Sequence, residues 1–311
     1  MNNKDYKIAK TLLTLLIILA GANIGICQEK IQTSTAVDTI PFELTDHNNI
    51  KIQAVLGDAD TLDLMFHTAA GSISLTTSAT EKLKGIHWDT ETEVGSWGGR
   101  ANTRYSANNA ITIGALHWDS VEIWEDEHSG PGTDGKFGPS LFEGYVIEVD
   151  FDKNVLILHD SLPPKADGYV KVPVNIDRGM LFIEGTSTID GVNYKNQFLV
   201  HSGYGGALLY DDKFAAESRI GERIEIIDEK ELKDSFGNVV KINKGSLPTL
   251  TIGNAALTDV PVGFFQGKIG RQQMSVIGGD LLKRFNIILD ADRTCMYLNP
   301  NRLKDIAYTQ F

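Results

Sequence analysis

Beyond its N-terminus the chain is written in short runs where apolar and polar residues alternate, the period of a strand with one buried face. Ile50 to Leu56 and Thr61 to Phe66, joined by Gly57-Asp58-Ala59-Asp60, predict a hairpin. A second hairpin is predicted from Leu181 to Ile189, through the turn Asp190-Gly191, to Val192 and on to Val200. Helical signal is sparse, with candidates at Thr77 to Lys84, Leu141 to Gly144, Asp211 to Glu217 and Asp280 to Phe285. The pattern predicts an all-β protein with a few short helices. Leu162-Pro163-Pro164-Lys165 interrupts it, because proline cannot donate to a central ladder, and marks the boundary between two halves.

The halves repeat each other. The first hairpin runs into Leu64-Met65-Phe66-His67-Thr68-Ala69-Ala70-Gly71-Ser72, and the second into Phe198-Leu199-Val200-His201-Ser202-Gly203-Tyr204-Gly205-Gly206. Further on, the segment from Phe137-Gly138-Pro139 to Asp152 aligns without a gap with that from Ile277-Gly278-Gly279 to Asp292. Gly138/Gly278, Leu141/Leu281, Ile147/Ile287, Asp150/Asp290 and Asp152/Asp292 are identical pairs, each 140 residues apart. A repeat of this length predicts two similar lobes rather than a solenoid.

With Asp in place of each His, the two loops resemble the hydrophobic-hydrophobic-Asp-Thr/Ser-Gly loops of pepsin-like and retropepsin-like aspartic proteases. The second blocks resemble the hydrophobic-Gly turn and short helix that pack behind each catalytic loop in that family. The similarity covers nearly all of the chain beyond the N-terminus. It implies a bilobal, pepsin-like double β-barrel, a bacterial member with both catalytic Asp replaced by His67 and His201. The implied lobes are 28–162 and 163–311, with a cleft between them. Thr68 and Ser202 keep the hydroxyls that cross-link the loops in the family, while Ala69 stands where the family has Gly. Gly95-Ser96-Trp97-Gly98-Gly99 resembles the flap over the cleft. Both motifs lie on one chain, so a site needs no second copy and a monomer is expected.

Lys4, Lys7 and Lys10 before the apolar run Leu12 to Ala20, with Gly21, Ala22 and Gly25 after it, predict an export signal over 1–27. The run is short for a membrane span. A periplasmic or extracellular protein is expected, and lipidation of Cys27 is the alternative to cleavage beside it, although Ile26 fits a lipoprotein signal poorly. Cys295 then remains as the one cysteine, too few for a disulfide framework. A net charge of −12 lacks the basic footprint of a nucleic-acid binder.

The histidines decide the chemistry. Paired carboxylates in aspartic proteases share a proton because like charges at close range cannot both ionise. Imidazole titrates near 6.5 and, when neutral, offers one donor and one acceptor on opposite sides of a ring. An aspartic-type peptidase is therefore the third choice. The favoured reading is a His67/His201 acid–base pair cleaving an acidic, uronic-acid polysaccharide by β-elimination. Tyr204 and Tyr105 are its candidate catalytic partners, and Arg100 and Arg104 would neutralise the substrate carboxylate while Trp97 stacks on a sugar. The alternative is a non-catalytic pseudoprotease binding peptide or glycan in the interlobe cleft. Two facing imidazoles also suit Zn²⁺, but no third ligand stands at a recognisable spacing, and no cofactor is expected. His87-Trp88-Asp89 and His117-Trp118-Asp119 read as strand ends with the Trp packed inward, and Glu125-Asp126-Glu127 as a solvated loop.

Overall fold

The computed structural model describes residues 34–309 except 58–59, 84, 97–98, 128, 234–238 and 266–271, and leaves the side chains of 94–101 and 230–240 undescribed. The predicted export segment and Trp97 lie outside the described residues. No helix among the described residues is long and apolar enough to cross a membrane.

Both predicted hairpins form, each with its first or second strand starting one residue earlier than the pattern gave. Ile50–Leu56 pairs antiparallel with Asp60–Phe66, and Met180–Ile189 with Val192–Val200. Burial along Ile50–Leu56 and Met180–Ile189 alternates, as a half-buried sheet demands. Behind each hairpin the same crossing recurs. Gly135–Phe137 lies parallel to Asp60–Phe66, and Ser275–Ile277 lies parallel to Val192–Val200. In the same way Ile73–Thr76 runs parallel to Leu116–Asp126, and Leu208–Leu209 to Ala255–Phe265. The sequence repeat is thus a repeat of topology.

An eight-stranded sheet holds the strands between Glu43 and Phe137 and folds back on itself through a pairing of Ile50–Leu56 with Gly99–Ile113. A thirteen-stranded sheet takes the rest and crosses the boundary between the halves. In it Val146–Asp150 pairs with Phe285–Leu289, Ile147 opposite Leu289 and Val149 opposite Ile287. Every residue of these two strands is buried, so the lobes share a core-like seam. Glu148 is buried within it. Burial would raise its carboxyl, but hydrogen bonds from His159 Nε2 (2.8 Å) and Lys165 hold it below the usual range. Lys165 belongs to the short 3₁₀ turn Pro164–Gly168, where the proline break was predicted.

The predicted helices form as short turns, two of them shorter than the pattern predicts and two of the predicted length but shifted by one or two residues. Thr77–Thr80 is one turn, capped by Thr76, and Asp212–Ser218 is capped by Asp211. Pro139–Phe142 is a 3₁₀ turn and Gly279–Leu282 an α turn, each opening straight from its repeated glycine. Glu125 and Asp126 are not in a solvated loop: they end the strand Leu116–Asp126, where Glu125 meets Arg104 and Asp126 meets Lys136. Trp88 and Trp118 are part-buried against the core, the inward packing expected of them, though 87–89 lies before the strand Thr90–Ser96 rather than in one.

Candidate functional site

Each histidine follows directly on the last residue of its hairpin. His67 N–H donates to Phe137 O at 2.8 Å and His201 N–H to Ile277 O at 2.9 Å, the same backbone bond in each half. Behind each loop a glycine permits close backbone approach. A Cβ on Gly138 would lie within 3.0 Å of the Ala70 carbonyl, and one on Gly278 within 3.0 Å of the carbonyls of Gly206 and Tyr204.

The loops are cross-linked beneath the rings. Thr68 N–H donates to Ser202 Oγ and Ser202 N–H to Thr68 Oγ1, both at 3.0 Å. The hydroxyls then reach across, Thr68 Oγ1 to Val200 O at 2.6 Å and Ser202 Oγ to Phe66 O at 2.7 Å. These four bonds hold the histidines side by side, with ring centroids 4.5 Å apart and planes tilted at 60°. His67 rests on Gly203, where a Cβ would lie within 3.0 Å of its Cδ2 and Nε2.

Hydrogen bonding selects the tautomer. Ala69 N–H donates to His67 Nδ1 at 3.1 Å, and Tyr204 N–H donates to His201 Nδ1 at 3.0 Å. A nitrogen that accepts cannot carry the proton, so each neutral ring is protonated at Nε2. Neither Nε2 has a hydrogen-bond partner among the described residues. Both rings are held neutral. Burial, then the charge of His201, then Lys136 bring His67 down to about 3, and burial with Lys136 lowers His201. The pair therefore presents two N–H donors rather than a base and its conjugate acid. Metal binding at Nε2 would shift that proton to Nδ1 and break its bond to the loop amide. Among the described residues no three His, Cys, Asp or Glu gather to hold an ion.

The other predicted residues fare unequally. Arg104 is committed elsewhere: its guanidinium forks onto Glu125 (Nε–Oε2 2.7 Å) and lies 4.6 Å over the Trp88 ring, so it is not the free counter-ion expected for a substrate carboxylate. Tyr105 packs on Trp124 with centroids 4.6 Å apart and bonds Glu122, which raises its phenol; no contact brings it to the histidines. Tyr204 does belong to the site, its amide bonding His201 and its ring packing against Gly206 and Gly278. Burial pushes its phenol up to about 12. The Arg100 side chain lies outside the described residues.

Sequence reading missed three residues. Lys136 lies close enough for its charge to act on both rings. Asn48 and Asn49, in the turn before Ile50, reach across the halves and bond the carbonyls of Gly205 (2.8 Å) and Ser202 (2.9 Å). Their signal was slight, a pair of asparagines in a turn, one of them left-handed with φ 61°.

No family model matches the chain, and no curated protein matches it in sequence. Solved structures match it in shape. The crystal structure of aspartic proteinase from Irpex lacteus aligns with a TM-score of 0.58 at 13% identity, covering 87% of this chain and 99% of that one. Identity so low speaks for the fold alone: the chain has an all-β, bilobal, pepsin-like fold.

Proposed function

We propose that this is an exported, cleft-binding protein on a pepsin-like scaffold, in which His67 and His201 stand where aspartic proteases carry their catalytic aspartates. The pair grips a ligand oxygen through two Nε2–H donors and does not hydrolyse a peptide. The observation that carries this reading is the amide N–H bound to each Nδ1, which leaves two unpartnered donors side by side at the base of the cleft. Half-buried donors without partners favour a ligand that satisfies them. An aspartic mechanism has no carboxylate pair to activate water here. Binding of a panel of glycans and peptides, followed by calorimetry, tests the reading. His67→Phe and His201→Phe keep an aromatic ring and delete the N–H, and each is expected to weaken the bound ligand about tenfold or more. Pepstatin-sensitive cleavage of casein, or binding indifferent to both substitutions, would overturn it.

One feature of the site favours β-elimination as a second reading. A neutral imidazole N–H suits the enediolate that forms when a uronate loses its C5 proton to the other histidine, because it stabilises developing negative charge without itself taking up that proton. Tyr204, protonated at any ordinary pH, would donate to the leaving oxygen as the C4–O bond breaks. The base would be one of the histidines in its rarer Nδ1–H tautomer, which costs it an amide hydrogen bond. Absence of an unsaturated uronate signal in the ultraviolet with every uronic-acid polymer removes this reading and leaves the first.

A further inference from the structure

Lys136 is the middle residue of the strand Gly135–Phe137, in register with Met65 on one side and Ser74 on the other. Residues opposite one another in a sheet share a face, and so do alternate residues along a strand. Lys136 therefore points to the face of Met65 and of His67 two residues on, while its neighbour Phe137 turns into the core with no exposed surface. Its ammonium pairs with Asp126 at 2.5 Å, and Asp126 is itself held by Ser74 Oγ at 3.0 Å. Asp126 takes one of the three ammonium donors. The side chain keeps a quarter of its surface in contact with solvent, at 25%.

The electrostatics agree with that placement. Lys136 acts on both rings, His201 acts on His67, and no carboxylate is among the charges that shift either. The centre of the cleft thus offers two N–H groups and an ammonium that shares its charge with Asp126, in a chain whose net charge is −12. A peptide backbone brings amide N–H groups that need acceptors. A glycan's hydroxyls adapt as acceptors, and a carboxylate accepts from several donors at once.

We propose that Lys136 joins His67 and His201 in one carboxylate-binding site, and that the ligand is a uronic-acid glycan. This deepens the cleft-binding reading and rests on it. Lys136 is the specificity-determining residue, and the histidines supply the two directional donors.

The test is calorimetric titration of the purified protein with an oligogalacturonate, its carboxyl-reduced neutral counterpart and an oligoglutamate. The variants are Lys136→Met, Lys136→Arg and, as a control, Lys195→Met, an exposed residue paired with Glu184. The oligogalacturonate should bind about tenfold or more tightly than the reduced glycan. Lys136→Met should remove most of that difference and flatten the salt dependence while leaving the weak binding of the reduced glycan in place. Lys136→Arg should restore much of it, and Lys195→Met should match the parent. Equal binding of the charged and reduced glycans, or no effect of Lys136→Met in a protein that still melts normally, overturns the carboxylate site. If the same glycans still lose affinity in His201→Phe, the cleft-binding reading survives that result. Tighter binding of oligoglutamate overturns the glycan class. No binding of any of the three overturns the inference, and only a silent wider panel would then count against the cleft reading.

Discussion

The two histidine loops share a backbone plan and differ in what fills it. Each histidine closes the same amide bond to the strand behind it, and each loop leans on a glycine turn that no larger residue fits. The differences begin two residues on. Ala69 donates to His67 Nδ1, but in the second loop the donor is Tyr204, one position later. Gly203, the counterpart of Ala69, leaves the space on which His67 rests, whereas at position 69 a methyl group occupies it. His67 lies on the opposite loop at Gly203, and burial, then the charge of His201, bring its imidazole down to about 3. A twofold backbone has not imposed twofold chemistry.

The braces differ as well. The second loop is held from the first half by Asn48 and Asn49. The turn behind the first loop is held from the second half by Arg293, which donates to the carbonyls of Phe142 and Tyr145 at 2.8 Å. Each half locks the other, so the pair's geometry is a property of the whole chain.

The likeness is tested most severely at the turn glycines. In both Gly138→Ala and Gly278→Ala the new Cβ meets backbone carbonyls, which cannot swing aside as a side chain would. Each is expected to cost about 3 kcal/mol or more, read from urea unfolding. Tolerance of one and not the other would break the equivalence of the halves at that point. The difference is tested at Gly203. Gly203→Ala meets the His67 ring, so it should cost only about 1–3 kcal/mol of stability yet displace the imidazole and abolish ligand binding. Ala69→Gly should cost about 1 kcal/mol at most. Nitrogen-15 shifts of the His67 ring would register the displacement directly.

The cross-links come next. Ser202 is 3% exposed and Thr68 is half-buried, so Ser202→Ala should cost more than Thr68→Val, within about 1–3 kcal/mol for each. Because each hydroxyl also serves the other loop's amide, the double variant should cost less than the sum of the two. Additive costs would mean that the hydroxyls work independently.

Much of this site could be read from the chain. Hairpins, glycine turns and the paired histidines all carry local signals, alternation of polarity and a repeat at constant offset. Lys136 carried none, because a lysine in a three-residue strand looks like any solvated charge until the parallel register with Met65 is known. Arg104 misled for the same reason: its partner Glu125 lies on the neighbouring strand, and an acidic run reads as a loop when its pairing is unseen. The ring tautomers were equally hidden. They depend on which amide turns toward Nδ1, a matter of a few degrees in loops of similar sequence.

The two loops share a bias against protonating their rings. An imidazole unfolds to a pKa near 6.5, and burial with its neighbours lowers that of His67 to about 3 in the folded protein. Below pH 6.5 the unfolded chain takes up a proton that the folded chain refuses, so folding weakens with acidity from there down to about pH 3. Stability held by keeping His67 neutral is complete above that window. His201 is lowered in the same direction by burial and Lys136, and its loss begins at the same unfolded value. Paired carboxylates such as Glu125 also weaken folding in acid, which is why the comparison must be between variants. His67→Asn should flatten the fall in melting temperature between pH 7 and pH 4, and His201→Asn should flatten it as well. No flattening in either variant would mean that the rings are not held neutral by the fold. A steeper fall in His67→Asn would mean that the ring is protonated in the folded state, and with it would go the two-donor site.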